Sequence, residues 1–166
     1  MKIERLIVGP LQTNCYVLTF NNYSIIIDPG DEAQTIIDFC KDKNIKGVLI
    51  THHHFDHIGA LKSIEDYFNI KEGSQIDGFD YEIIATPGHT DDSISYYFKK
   101  DNSLFCGDFI FYHSIGRTDL PTGNIDKMKS SLELISKLPD NTIIYPGHGD
   151  KTTLKEEKQF FSYYTN

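Results

Sequence analysis

Seven consecutive residues, 51 to 57, constrain this chain more than any other segment, because they read Thr-His-His-His-Phe-Asp-His. Imidazole nitrogens and a carboxylate oxygen are the ligands that suit zinc, iron or manganese. Burying so many groups that titrate near neutral pH would be costly without a partner. The cluster therefore predicts a metal-binding loop rather than a piece of apolar core.

Length and composition restrict the class of protein. With 166 residues, the chain suits a single domain that spans 1–166 and has a proper hydrophobic core. Lys and Arg number 16 against 24 Asp and Glu, a formal net charge of −8. This balance argues against a nucleic acid or an anionic membrane as partner, and leaves a small-molecule substrate.

The cysteines and the N-terminus indicate a compartment. Cys15, Cys40 and Cys106 show no paired spacing, which fits a reducing environment better than a disulfide framework. The first residues do not form a signal peptide, and no apolar stretch is long enough to span a membrane. We therefore expect a cytoplasmic protein.

Apolar runs rich in Ile, Val, Tyr and Phe recur between turn signals, and they predict an α/β fold. Two sheets packed together with helices outside would bury every apolar face. A hairpin is expected at Asp77-Gly78, and Asp31 is expected to cap the first helix. The predicted strands cover 3–8, 15–20, 23–27, 48–50, 81–85, 94–98, 104–106 and 142–145, and the predicted helices cover 31–43, 58–68, 126–138 and 154–164.

Ligand-type side chains recur where the predicted strands end. The strand at 48–50 runs into the histidine cluster, and three later strands run into His89, Asp108 and His148. Loops at the C-terminal ends of strands are where α/β folds assemble their sites. The four strand ends are therefore expected to contribute to one site.

The candidate ligands can be divided between two metal ions. Alternate residues of an extended segment point to the same side, so His52 and His54 can share an ion. With Asp108 as a bridge, each ion keeps a position open for water, which marks a catalytic site. The two sets are His52, His54 and His89 for one ion, and Asp56, His57 and His148 for the other.

These motifs resemble those of the metallo-β-lactamase superfamily. The cluster is similar to its His-x-His-x-Asp-His signature, and residues 86–90, 106–108 and 145–149 resemble its third, fourth and fifth motifs. Residues 14–16 and 114–121 resemble a short bacterial form of the glyoxalase II-like (hydroxyacylglutathione hydrolase-like) branch. The resemblance implies a four-layer αβ/βα sandwich. The two divalent ions are expected to be zinc, with iron or manganese as the other choices.

The chain departs from the family pattern in two places. The segment after Phe68 is short, as if a strand and its covering loops were missing, which predicts a more open site or a homodimer whose second subunit covers it. Glyoxalase II also holds glutathione with a C-terminal helical domain. The sequence stops one helix after the last motif, which weakens the expectation that glutathione is recognised.

The resemblance implies a metal-dependent hydrolase in which a dimetal-bound hydroxide, oriented by Asp56 and Asp108, attacks a carbonyl. A thiol ionises with a pKa of about 8.5, so a thiolate leaves without much help from an acid. This favours thioesters such as S-lactoylglutathione. The alternatives are a mononuclear-iron oxygenase similar to persulfide dioxygenases, or a hydrolase of another ester or lactone.

Several polar residues near the motifs have less defined roles. Arg117 and His113 are candidates for substrate contact, although Arg117 can equally pair with Asp119, and His113 can be a surface-loop residue. Thr51 is a candidate donor to a metal ligand. We expect His53 to point away from the ligands, and Asp28 to cap a turn near them.

Overall fold

The computed structural model describes residues 1–73 and 75–165. The chain divides into two compact units, Met1–Asp80 and Tyr81–Asn166. The expectation of one domain over residues 1–166 stays a prediction. In the described part of the chain, no helix has the length and the apolar character needed to cross a membrane.

The first unit is built on a four-stranded sheet in the order β1-β2-β3-β4. The first three strands are antiparallel neighbours, and β3 and β4 are parallel, joined by a helical crossover. The strands are β1 (Lys2–Val8), β2 (Thr13–Phe20), β3 (Tyr23–Ile27) and β4 (Ile45–Leu49), and the helices are α1 (Ala33–Cys40), α2 (Phe55–Ile58) and α3 (Leu61–Phe68).

Helices α1 and α3 bury their apolar sides against this sheet. Ile36 and Cys40, one helical turn apart on α1, and Ile64 of α3 are all fully buried. They belong to one cluster with strand residues such as Val17 and Val48. The parallel crossover through α1 thereby fixes β4, whose C-terminal end leads into the histidine loop.

The second unit contains a five-stranded sheet in the order β11-β10-β7-β6-β5 and a separate two-stranded hairpin, β8-β9. Strands β7 and β10 are parallel, and the other neighbours are antiparallel. Its elements are β5 (Glu82–Ala85), β6 (Ile94–Phe98), β7 (Ser103–Gly107), β8 (Ile110–Phe111), β9 (Ser114–Ile115), α4 (Ile125–Ile135), β10 (Ile143–Pro146), β11 (Thr152–Thr153) and α5 (Leu154–Thr165).

Helix α4 crosses between the parallel strands β7 and β10, and its core face follows the helical repeat. Met128, Leu132 and Ile135 are fully buried, and they pack in one cluster with Leu154 and Phe161 of α5. The Asn124 side chain accepts a 2.9 Å hydrogen bond from the Lys127 amide and caps α4 at its N-terminus.

The sequence-based elements need correction at three points in the first unit. The predicted helix at 58–68 is broken at Gly59-Ala60, because the Ala60 amide donates to the carbonyl of Pro29 at 3.0 Å instead of continuing the helix. Asp31 does not cap α1, since Glu32 occupies the cap position with a φ of 50° and no side-chain cap bond. The hairpin at Asp77-Gly78 is wrong, because the turn there has no strand on either side.

The segment after α3 is as short as the sequence indicated. Between Phe68 and β5, the described residues form a single bridge, from Glu72 to Val48 of β4. The Gly73 amide donates to the Val48 carbonyl at 3.1 Å, and Ile76 lies against Gly47. A few residues thus cover the outer edge of β4 where a further strand could pair.

Candidate metal centre

The histidine loop brings two imidazole nitrogens of the first unit together. His52 and His54 lie on the extended segment that precedes α2, and His52 Nε2 is 3.1 Å from His54 Nδ1. Two nitrogens at about 2.1 Å from a tetrahedral zinc ion would lie roughly 3.4 Å apart. The pair is therefore close to the spacing of two ligands on one ion.

Asp28 fixes the ring of His57. Its Oδ2 accepts hydrogen bonds from His57 Nδ1 at 2.9 Å and from the Thr51 hydroxyl at 2.7 Å, and its Oδ1 accepts from the Thr51 amide at 2.8 Å. A carboxylate on Nδ1 assigns the proton to that nitrogen, which makes Nε2 the ligand nitrogen. Asp28 therefore has a larger role than the turn cap expected of it.

Asp56 lies in the first turn of α2 and is supported from two sides. The Thr13 hydroxyl donates to its Oδ2 at 2.9 Å, and the same oxygen is 3.6 Å from His57 Nε2. A Cβ atom on Gly30 would overlap the backbone oxygen of Asp56, so the Asp28-Pro29-Gly30 turn packs directly on the loop. The close approach of this turn needs glycine at position 30.

Asp108 lies between two histidines of the second unit. One carboxylate oxygen, Oδ2, is 3.5 Å from His89 Nε2, and the other, Oδ1, is 3.5 Å from His148 Nε2. Each histidine thus faces its own oxygen of a single carboxylate. A carboxylate arranged in this way can bridge two ions, each of which also takes one imidazole.

The loop that follows the β8-β9 hairpin holds His89 and Asp108. His89 Nδ1 donates to the Arg117 carbonyl at 2.8 Å, which again leaves Nε2 as the ligand nitrogen. A Cβ atom on Gly116 would overlap the backbone oxygen of Asp108 and would lie 3.2 Å from His89 Cβ. This close packing fixes both candidate ligands relative to each other.

A cavity of about 470 Å³ opens over these residues in the second unit. The guanidinium of Arg117 at its rim is paired with Asp119 through two hydrogen bonds, of 2.7 Å from Nε and 2.8 Å from Nη2. The guanidinium lowers the pKa of Asp119 to about 2. The cavity is lined by His89, Asp108, Phe111, Gly116, Arg117, His148 and Gly149.

The other candidates take up positions with defined contacts. Thr51 Oγ1 lies 3.2 Å from His52 Nδ1 in addition to its bonds with Asp28. His53 is exposed, and its Nε2 lies 3.4 Å from Glu72 Oε1. His113 is held by α5 through Glu156 and Glu157 and is not among the residues that line the 470 Å³ cavity.

The donor set of each unit fits a divalent metal ion. Neutral imidazoles and carboxylates bind zinc, iron and manganese, and His57 and His89 each have one nitrogen bonded to an oxygen acceptor and the other directed as a ligand. The seven ligands expected from the sequence stay a prediction, and that prediction included neither Thr13 nor the bond from His57 to Asp28. The polar Asp-Pro-Gly turn at the end of β3 was the available signal.

Comparison with known proteins agrees with this chemistry. The sequence model of the Metallo-beta-lactamase superfamily matches residues 8–77 and 67–148. Hydroxyacylglutathione hydrolase GloC of Haemophilus influenzae is 31% identical over 203 residues, covering 96% of this chain and 96% of its own.

Solved structures show the same fold. The crystal structure of BLEG-1 B3 metallo-beta-lactamase superposes with a TM-score of 0.93 at 31% identity and covers 99% of this chain and 100% of its own. That of TTHA1623 in a di-iron-bound form superposes with a TM-score of 0.86 at 25% identity, covering 95% and 98%. The α/β fold expected from the sequence is confirmed as the metallo-β-lactamase fold. This chain belongs to the metallo-β-lactamase superfamily.

Proposed function

We propose that this protein is a dimetal hydrolase of thioesters, with S-lactoylglutathione as the model substrate. The ions would be held by His52, His54, Asp56, His57, His89, Asp108 and His148. The observation that carries the proposal is the position of Asp108, whose two oxygens face His89 and His148 at 3.5 Å each. A carboxylate between two imidazoles suits a pair of ions better than one.

The bound ions would supply a deprotonated water at neutral pH and an electrophile for the substrate carbonyl. The chain's own residues contribute orientation. Asp28 and the Arg117 carbonyl each accept a hydrogen bond from the Nδ1–H of a histidine, so that His57 and His89 present Nε2. Thr13 holds the carboxylate of Asp56 by donating to Oδ2, and this restricts the rotation of that ligand.

The cavity of the second unit favours a leaving group that needs no proton. Apart from the candidate ligands, its lining consists of Phe111, Arg117 and two glycines. An arginine stays protonated at any ordinary pH and is therefore a poor general acid. A thiolate leaves without an acid more readily than an amine does. The named activity of GloC, a relative 31% identical over nearly the whole chain, supports the same substrate class.

We propose zinc as the metal, with iron and manganese as the alternatives. The imidazole-rich set suits zinc and iron, and the carboxylates admit manganese. The similarity to TTHA1623, which was crystallised in a di-iron-bound form, makes iron the first alternative. Metal analysis of protein purified from its native host, without added metal, decides among the three.

The hydrolase proposal is tested with protein loaded separately with zinc, iron and manganese. We expect S-lactoylglutathione and simpler thioesters to be turned over by at least one form. His54→Ala removes a candidate ligand and should lower kcat/KM by more than about 100-fold. His53→Ala is the matched control, because its exposed side chain faces Glu72, and this variant should keep the activity.

A panel of other substrates separates the remaining candidates. A β-lactam is included because BLEG-1, a B3 metallo-beta-lactamase, is 31% identical over the whole chain. Lactones test the other ester class, and oxygen consumption with glutathione persulfide tests the oxygenase alternative. Thioester turnover by none of the three metal forms would reject the thioesterase proposal.

A further inference from the structure

The β8-β9 hairpin connects residues that contact two candidate ligands. Asp108 and Phe109 precede the hairpin, and Gly116 and Arg117 follow it. The Gly116 amide donates to the Phe109 carbonyl at 3.1 Å, which closes the base of the hairpin. A tilt of the hairpin would therefore move the Arg117 carbonyl, which is the acceptor for His89 Nδ1.

Helix α5 holds the hairpin at one residue of its turn, His113. The His113 amide donates to Glu157 Oε2 at 2.9 Å, and its Nε2 lies 2.9 Å from Glu156 Oε1. The imidazole also lies against the ring of Phe160, at 4.4 Å between centroids, and the Tyr164 hydroxyl is 3.5 Å from the His113 carbonyl. Backbone and side chain are thus both held by the same helix.

His113 needs this support because of its backbone conformation. Its φ is 55°, in the left-handed region that residues other than glycine adopt in only a small fraction of cases. Such a conformation persists only where the surrounding structure holds it in place. The hydrogen bond to Glu157 is the contact that fixes the amide of this residue.

Glu157 is the buried member of the group, with 1% of its surface exposed. Its Oε1 accepts a 2.6 Å hydrogen bond from the Thr152 hydroxyl, while Oε2 accepts from His113. A buried carboxylate is costly unless it is hydrogen-bonded, and the first turn of a helix favours its negative charge. Both oxygens of Glu157 are thereby directed to the hairpin and to β11.

We propose that Glu157 is a positioning residue for the metal centre. Its bond to the His113 amide fixes the hairpin. The hairpin in turn holds the Arg117 carbonyl at hydrogen-bonding distance from His89 and keeps Gly116 packed against the Asp108 backbone. Glu157 contacts neither ligand itself. This inference rests on the proposed function, because it assumes that His89 and Asp108 bind metal.

The proposal is tested by zinc affinity, measured as competition between metal-free protein and a chromophoric chelator. Glu157→Ala should weaken the zinc affinity of at least one site by about tenfold. This is the lower end of the loss of metal affinity expected when a residue that supports a metal ligand is removed. Glu157→Gln should restore it, since the amide oxygen can accept from His113 and the hydroxyl of Thr152 can rotate to accept from the amide nitrogen. Hydrogen exchange at the His113 amide should be faster in Glu157→Ala and near wild type in Glu157→Gln.

Ile36→Ala is the control for a merely structural role. Ile36 is fully buried on α1, in a cluster made of residues of the first unit, and the cavity left by its truncation should lower Tm without changing the zinc affinity of the folded protein. Thr152→Val removes the second bond of Glu157 with little change of volume, and it should weaken zinc binding in the same direction. It serves as the test variant if Glu157→Ala does not fold.

Three results would overturn the proposal. The first is unchanged zinc affinity in Glu157→Ala or, where that variant does not fold, in Thr152→Val. The second is an equal loss of affinity in Ile36→Ala. His113, Glu156 and Glu157 lie close enough together to hold a cation themselves. The last contrary result is therefore an additional ion, bound tightly by wild type and lost in Glu157→Ala, because Glu157 would then be a ligand rather than a positioning residue. If wild type binds no zinc, iron or manganese, the proposed function fails instead.

Discussion

The Oδ2 oxygen of Asp28 lies 2.9 Å from Nδ1 of His57, and both side chains are buried. This bond selects the nitrogen that His57 offers to a metal and holds the ring in one orientation. A residue outside the histidine cluster therefore determines how one member of the cluster can bind.

We expect Asp28→Asn to weaken metal binding by about 10- to 100-fold, because the amide can no longer act as a charged acceptor for His57 Nδ1. Chelator competition measures the effect. Asp38→Asn is the matched control, since Asp38 lies exposed on α1, where its Oδ1 accepts a 3.2 Å hydrogen bond from the Gln34 side chain. Equal zinc affinity in the two variants would contradict the role assigned to Asp28.

Gly116→Ala should disturb both His89 and Asp108, because the new methyl group would overlap the backbone oxygen of Asp108. We expect a loss of stability of about 1–3 kcal/mol, together with weaker metal binding. Urea unfolding and metal stoichiometry measure the two effects. In the control, Gly73→Ala, the nearest described atom beyond the adjacent residues is the Gln75 backbone oxygen, 3.8 Å from the added Cβ, so this variant should keep both properties.

The Arg117–Asp119 pair should persist far into the acid range. The guanidinium lowers the pKa of Asp119 to about 2. The stabilisation that the ion pair gives to the folded protein is therefore complete above the ordinary aspartate pKa of about 4, and it is lost as the pH falls through about 2. A carbon-detected NMR titration of the Asp119 carboxyl group measures this pKa. Arg117→Lys removes the bidentate guanidinium donor and should raise the Asp119 pKa towards its ordinary value. An unchanged pKa in that variant would show that Arg117 is not its cause.

The candidate ligands could be predicted from the sequence because each is recognised from a few neighbouring residues. Each sits in a short motif at the end of an apolar run, and strand ends in α/β folds converge on sites. The role of Asp28 was not predictable in the same way, because it depends on parallel pairing of β3 with β4, which places the two strand ends side by side. Thr13 was missed for a similar reason, since its partner Asp56 is 43 positions away.

The errors in secondary structure have a common cause. The Asp77-Gly78 pair has the residues of a hairpin turn, and a turn does form, but no strands flank it because neighbouring Ile76 packs on Gly47 instead of pairing in a ladder. The predicted helix at 58–68 breaks where Ala60 bonds to Pro29. In both cases a tertiary contact overrides a local preference.

The short segment that covers β4 has a consequence for self-association. An uncovered strand edge is a template on which a second chain can add by backbone pairing. Here the Val48 carbonyl accepts a hydrogen bond from the Gly73 amide, and Ile76 lies over Gly47, so the β4 edge offers little room for such pairing. The short connection therefore protects the β4 edge from self-association, and β1 is the other edge strand of this sheet.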